Sequence, residues 1–139
     1  MRSAPLPRSM FTTRKPPRAA RPAWKACEQY LRWLRKLPCA FCRAEGTPTN
    51  PIVAAHVDHA GQGTPMGKGM GTKVADRHGI PLCDECHRRQ HRIGWKTFEI
   101  GLPLQSAPAL SDTYWAEWPG RRAWEHEQAA ADALARVAP

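Results

Sequence analysis

Long apolar runs are missing from this sequence. None approaches the roughly 20 residues that a membrane-spanning helix needs, so no membrane partner is expected. The arginines near the start have no apolar stretch behind them and do not read as a secretory signal. No internal repeat is visible, and the one glycine-rich stretch lacks the pattern of a nucleotide-binding phosphate loop. Acidic residues are scarce at the start: residues 1–38 hold one, Glu28, against ten Lys and Arg. Fourteen Pro and ten Gly argue against an all-helical bundle.

What is present fits one domain with tails, since the chain has 139 residues. The formal net charge is +9, and residues 39–139 hold eleven residues of each sign, so the whole excess belongs to the first 38 residues. A basic arm on a neutral body suggests contact with a polyanion such as nucleic acid; a solvated tail is the plainer alternative. Residues 1–22, with five Pro and few large apolar side chains, read as a disordered basic arm. From Trp24 to Leu37 apolar residues recur every three or four positions, which predicts a helix that Pro38 ends. Cys27 lies on its apolar face. A short strand is expected at Ile52–Ala55 and a second at Gly79–Leu82. Asp84 is a plausible cap for a helix running to about Ile93, with Trp95 and Phe98 packing back on the core. Residues 101–111 read as a loop, and Pro119-Gly120 divides the remainder into a short and a longer helix. The spacing of the six Trp favours core packing over base stacking.

The chemistry-bearing residues lie between 39 and 91. Cys39-x-x-Cys42 and Cys83-x-x-Cys86 are two matched pairs. Each pair lets one turn present two sulfurs to one ion, and together they make a closed four-thiolate site suited to structural Zn2+. With no secretory signal the expected compartment is reducing, which disfavours disulfides. Five of the six His lie in the same region: His56, His59, His78, His87 and His91. His87 and His91 are four apart, so a helix stacks both imidazoles on one face, able to grip one ion; a simple basic face is the alternative, because Arg88, Arg89 and Arg92 adjoin them. His56, Asp58 and His59 end the first strand, and their nitrogen and oxygen donors suit a hydrolytic metal with open positions. The loop at 61–71 has Lys68 within it and Lys73 just after, both available to a nucleic-acid backbone.

The order C-x-x-C, strand His, Asp, then C-x-x-C-H-x-x-x-H resembles the HNH nucleases. More narrowly, Ala55-His56-Val57, Gly69-Met70-Gly71-Thr72-Lys73, Asp76, Pro81-Leu82-Cys83 and His87-x-x-x-His91 resemble phage and prophage HNH proteins akin to the recombination-enhancement nuclease, over about residues 36–99. The resemblance implies an α+β fold: a small ββα-metal core stapled by the four-cysteine zinc site and flanked by N- and C-terminal helices. It divides the chain into the arm at 1–22, a nuclease domain with its leading helix at 23–100, and a helical extension at 101–139. It implies a metal-dependent endonuclease that hydrolyses DNA phosphodiester bonds in the cytoplasm of a bacterial host, with a recombination protein as a partner. His87 and His91 would hold the catalytic ion, Mg2+, Mn2+ or Zn2+. The base is His56 in the narrower pattern; in the general pattern Asp58 is a ligand and His59 the base. The central polar position falls on Asp76 or on His78. Lys68, Lys73, Arg88, Arg89 and Arg92 are the expected DNA contacts. The reading that competes with all of this is a non-catalytic, zinc-stabilised nucleic-acid-binding module.

Overall fold

The computed structural model describes residues 23–61 and 74–137. The basic arm and both Lys68 and Lys73 lie outside the described residues. The fold is a small mixed α+β arrangement. Helix α1 (Glu28–Leu34) leads into two strands, β1 (Ile52–His56) and β2 (Gly79–Cys83), and α2 (Asp84–Ile93) follows β2 directly. Then come a one-turn helix α3 (Trp95–Phe98) and two further helices, α4 (Ala107–Glu117) and α5 (Arg121–Val137).

The strands are antiparallel, with Ile52 opposite Cys83, Ala54 opposite Pro81 and His56 opposite Gly79. β2 is buried along its whole length. Pro81 contributes no N–H to a ladder, but its carbonyl accepts the amide of Ala40 at 2.8 Å, which ties the first cysteine turn to the sheet. The sheet, α2 and α3 share one core around Val57, Val74, Ile80, Leu82 and Phe98. A second core joins α1 to α4 through Tyr30, Leu31, Leu34, Trp115 and Trp118. Tyr30 stands edge-on to Trp115 at 5.0 Å between centroids, and its hydroxyl donates to the Gly79 carbonyl at 3.0 Å. Gly79 has to be small. A Cβ there would lie 3.2 Å from both the Asp76 carbonyl and Leu34 Cδ1, where α1 crosses the start of β2.

Local chemistry shifts several expected boundaries. α1 begins at Glu28, after a separate 3₁₀ turn at Ala23–Lys25, and its last turn tightens through Lys36 and Leu37 amides bonding to Trp33 and Leu34 carbonyls. α2 is capped by Cys83, not Asp84: the Cys83 sulfur accepts the Cys86 amide. The acids Asp84 and Glu85 then occupy the first turn of α2, and His91 and Arg92 the last, which complements the helix dipole. Gly94, at φ 82°, makes the turn into α3. Residues 101–111 are not all loop. Ser106 caps α4 by accepting the Ala109 amide, and Pro108 sits in its first turn. Trp95, Trp115 and Trp118 are buried and Trp33 and Trp124 pack against the second core, while Trp24 is exposed. α5 buries none of its residues. No helix among the described residues is long and apolar enough to cross a membrane.

Candidate functional site

Two centres flank the junction of β2 and α2. The first is the cysteine group. Cys39 and Cys42 come from the turn after α1, where Cys39 exchanges backbone hydrogen bonds with Arg43 and Ala44 and Arg43 takes a positive φ. Cys83 ends β2 and Cys86 lies in the first turn of α2. The four sulfurs lie within 4.8 Å of one another, with Cys42 and Cys83 at 3.8 Å. A tetrahedron with metal–sulfur bonds of about 2.3 Å has edges of about 3.8 Å. The group could therefore hold a metal ion such as zinc with every position filled by protein. Among the described residues it is the only set of three or more Cys, His, Asp or Glu whose donor atoms converge to this degree.

The second centre begins at the end of β1. His56 Nε2 lies 2.8 Å from Asp76 Oδ1, and the other Asp76 oxygen accepts the Cys27 amide at 2.8 Å. Asp76 is 3% exposed, on the 3₁₀ turn Asp76–His78 that feeds β2. The His56 side chain remains 24% exposed. An aspartate that also engages a backbone donor is fixed in place, so it sets the orientation of the imidazole. With Nε2–H donating to the carboxylate, Nδ1 is the ring nitrogen left with a lone pair.

Across from this pair, α2 carries His87 and His91 with their Nε2 atoms 3.1 Å apart. Two nitrogens bound to one ion at about 2.0–2.1 Å stand about 2.9–3.4 Å apart in octahedral or tetrahedral geometry, so this pair suits two adjacent positions on one ion. Burial pushes the His87 pKa down, and the neighbouring His91 and His56 add to the effect against an opposing pull from Asp84. The neutral, ligating form is favoured accordingly.

His78 is 5% exposed, and neither of its ring nitrogens has a hydrogen-bond partner among the described residues. Burial lowers its pKa, followed by Arg77 and His56, with Asp112 opposing. His59 is turned elsewhere: its Nε2 meets Glu99 Oε2 at 3.2 Å, and the same oxygen accepts the Ala107 amide at the start of α4. Asp58 is exposed beside it. Of the expected site residues, His56 and Asp76 are thus joined directly, His87 and His91 are joined to each other, His87 feels His56, and His59 braces the link between α3 and α4. The Cys27 amide and Glu99 were not among the expected participants. Nothing in their local sequence marks them, because each acts on a residue forty or more positions away.

Residues 7–103 match a family described as "Protein of unknown function (DUF968)". The chain belongs to the DUF968 family. The match takes in all four paired cysteines and every histidine except His126, so both centres fall within the DUF968 region, while α4 and α5 lie beyond it. The "Uncharacterized protein YdfU" of Escherichia coli (strain K12) is 39% identical over 64 residues, which is 46% of this DUF968 chain and 16% of YdfU. The chain therefore spans about a sixth of that relative's length. No solved structure matches it.

Proposed function

We propose that this DUF968 chain is a metal-dependent endonuclease of the HNH type, hydrolysing DNA phosphodiester bonds, of phage or prophage origin and tied to recombination. The observation that carries the reading is that the β1–β2–α2 unit holds a His56–Asp76 pair and a His87–His91 pair, with His56 close enough to push the His87 pKa down. His56 Nδ1 takes a proton from water as the water oxygen attacks phosphorus, and the P–O3′ bond breaks with the 3′-oxygen taking a proton from a second, solvent water, giving a 5′-phosphate and a 3′-hydroxyl. Asp76 holds the ring tautomer and balances the imidazolium that forms. His87 and His91 would hold a divalent ion, Mg2+, Mn2+ or Zn2+, and the chemistry it would supply there is neutralisation of charge on the phosphate and the leaving oxygen. Asp58 lies close by in sequence as a third, carboxylate donor. The cysteine group holds Zn2+ as a staple and takes no part in the chemistry.

The test is nicking of supercoiled plasmid DNA with Mg2+, Mn2+, Ni2+ or Zn2+ added, against wild type and the His56→Ala, His59→Ala and His87→Ala proteins. The expected result is metal-dependent nicking that disappears in His56→Ala and His87→Ala and survives in His59→Ala. No nicking by folded, zinc-loaded protein with any metal, alone or with a recombination protein added, would leave a nucleic-acid-binding module in its place.

A further inference from the structure

The face of α2 opposite its histidines carries a second feature that the hydrolytic reading does not use. At 100° per residue, Cys86 and Gln90 point inward, His87 and His91 occupy one flank and Arg89 the other, with Arg92 beside Arg89 and Arg88 facing outward next to His91. Arg88, Arg89 and Arg92 border a groove of about 600 Å3 between α2 and the first cysteine turn, lined also by Phe41, Ile93 and three cysteines of the metal group, Cys42, Cys83 and Cys86. Its volume lies within the roughly 300–1,000 Å3 of ordinary ligand sites. Phe41 is held in place by stacking on Phe98, 4.4 Å between centroids and 22° between planes. The Arg89 guanidinium lies over the Phe41 ring, 5.3 Å from its centroid, so Arg89 is aimed before any ligand arrives. Arg88 is paired with Asp84. Arg89 and Arg92 have no carboxylate partner among the described residues, and Glu85 is the one acid on the rim.

We propose that this groove is a second contact for the phosphodiester backbone of nucleic acid, with Arg89 and Arg92 as its phosphate-binding groups. The guanidinium fork matches phosphate oxygens. The choice of nucleic acid over an acidic protein comes from placement: Arg89 sits on the flank of the same ten-residue helix opposite the histidines, with Arg92 beside it. A helix is about 10 Å across, and a strand advances about 3.4 Å per nucleotide. A strand lying across α2 thus meets the arginines two or three nucleotides from the bond at the histidines. That offset rests on the hydrolytic reading; the binding does not.

The alternative role for these arginines is internal. Four thiolates around one divalent ion carry a net charge of about −2, and the arginines stand beside them. The experiment separates the two. Full-length His87→Ala protein, without added divalent ion, is titrated by fluorescence anisotropy with a labelled duplex of about 30 base pairs at several salt concentrations. Adding Arg89→Gln and Arg92→Gln is expected to raise Kd about tenfold near 0.15 M salt and to reduce the slope of log K against log salt by about two. The same positions changed to Lys should recover most of the affinity, and zinc content and thermal midpoint should stay as in the parent. Unchanged Kd and slope would overturn the proposal. So would a loss of bound zinc in the Gln variant, or equal competition by polyglutamate of matched charge. If affinity falls as expected while wild type nicks no plasmid with any metal, the groove stands and the hydrolytic reading falls.

Discussion

At the scale of single residues, the proposed chemistry turns on Asp76. Its two oxygens serve two donors, the His56 ring and the Cys27 amide. Replacing it with Ala leaves the buried Cys27 N–H short of an acceptor, and urea unfolding should show a loss of about 1–3 kcal/mol. Asp76→Asn separates structure from chemistry. Its oxygen can still accept the Cys27 amide, but its NH2 then donates to Nε2 and forces the ring proton onto Nδ1. This variant should unfold close to wild type while nicking falls by about 10²-fold or more. His78 gives a second test. Burial holds its folded-state pKa below 6.5, so the fold favours the neutral ring. The stability this represents is complete above pH 6.5 and is lost as pH falls through the lowered folded value. The urea midpoint should therefore drop as pH falls below 6.5. His78→Phe should flatten that drop and leave neutral-pH stability equal or higher, since it removes two buried nitrogens that have no partner among the described residues.

At the scale of elements, the joint between β2 and α2 concentrates several duties in Cys83. It ends the strand, caps the helix and contributes a sulfur to the metal group. Elemental analysis should find one zinc per chain in this group, and Cys86→Ser should lose it together with the near-ultraviolet dichroism of the core tryptophans. Both C-x-x-C pairs and the His87–His91 spacing were legible in the sequence because a turn and one helical turn are local rules. The two strands, α2 and the break at Pro119-Gly120 were legible for the same reason. The cap of α2 was not. Asp84 is a good capping residue by type, but register with the cysteine turn gives that place to the Cys83 sulfur. The start of α4 was hidden behind Leu102 and Pro103, which suggest irregular chain, although Ser106 and Pro108 together carry the signal for a helix start. Least legible was the second centre. His56 meets Asp76 across 20 residues and Asp76 meets Cys27 across 49, and no periodicity encodes such pairs. The sequence accordingly left His56 and His59 in competition; the bond from His59 to Glu99 is what distinguishes them in space.

At the scale of the whole molecule, the chain is uneven in what it commits to the fold. α5 has no buried residue, and Leu134 is 74% exposed. Its contacts lie at its start, where Trp124 meets Trp115 edge-on at 5.2 Å and Glu125 accepts the Trp115 indole. Removing residues 129–139 should shift the thermal midpoint by no more than an ordinary surface substitution, about 0.5 kcal/mol in stability. At the other end of the chain, residues 1–22 hold six Lys and Arg and no acid. Deleting residues 1–22 should flatten the salt dependence of DNA binding while leaving turnover of bound DNA unchanged, and a salt titration of wild type against the truncation reads this directly. The amide of Cys27 sets a different limit on shortening the chain. It precedes α1, lies outside the strand–strand–helix unit, and holds the carboxylate that orients His56. The strand–strand–helix segment is therefore not a cassette that could be spliced into another protein with its function intact. The smallest transferable piece starts before Cys27 and, because Tyr30 and Leu34 need Trp115 and Trp118 to stay dry, runs past the end of α4 to Trp118.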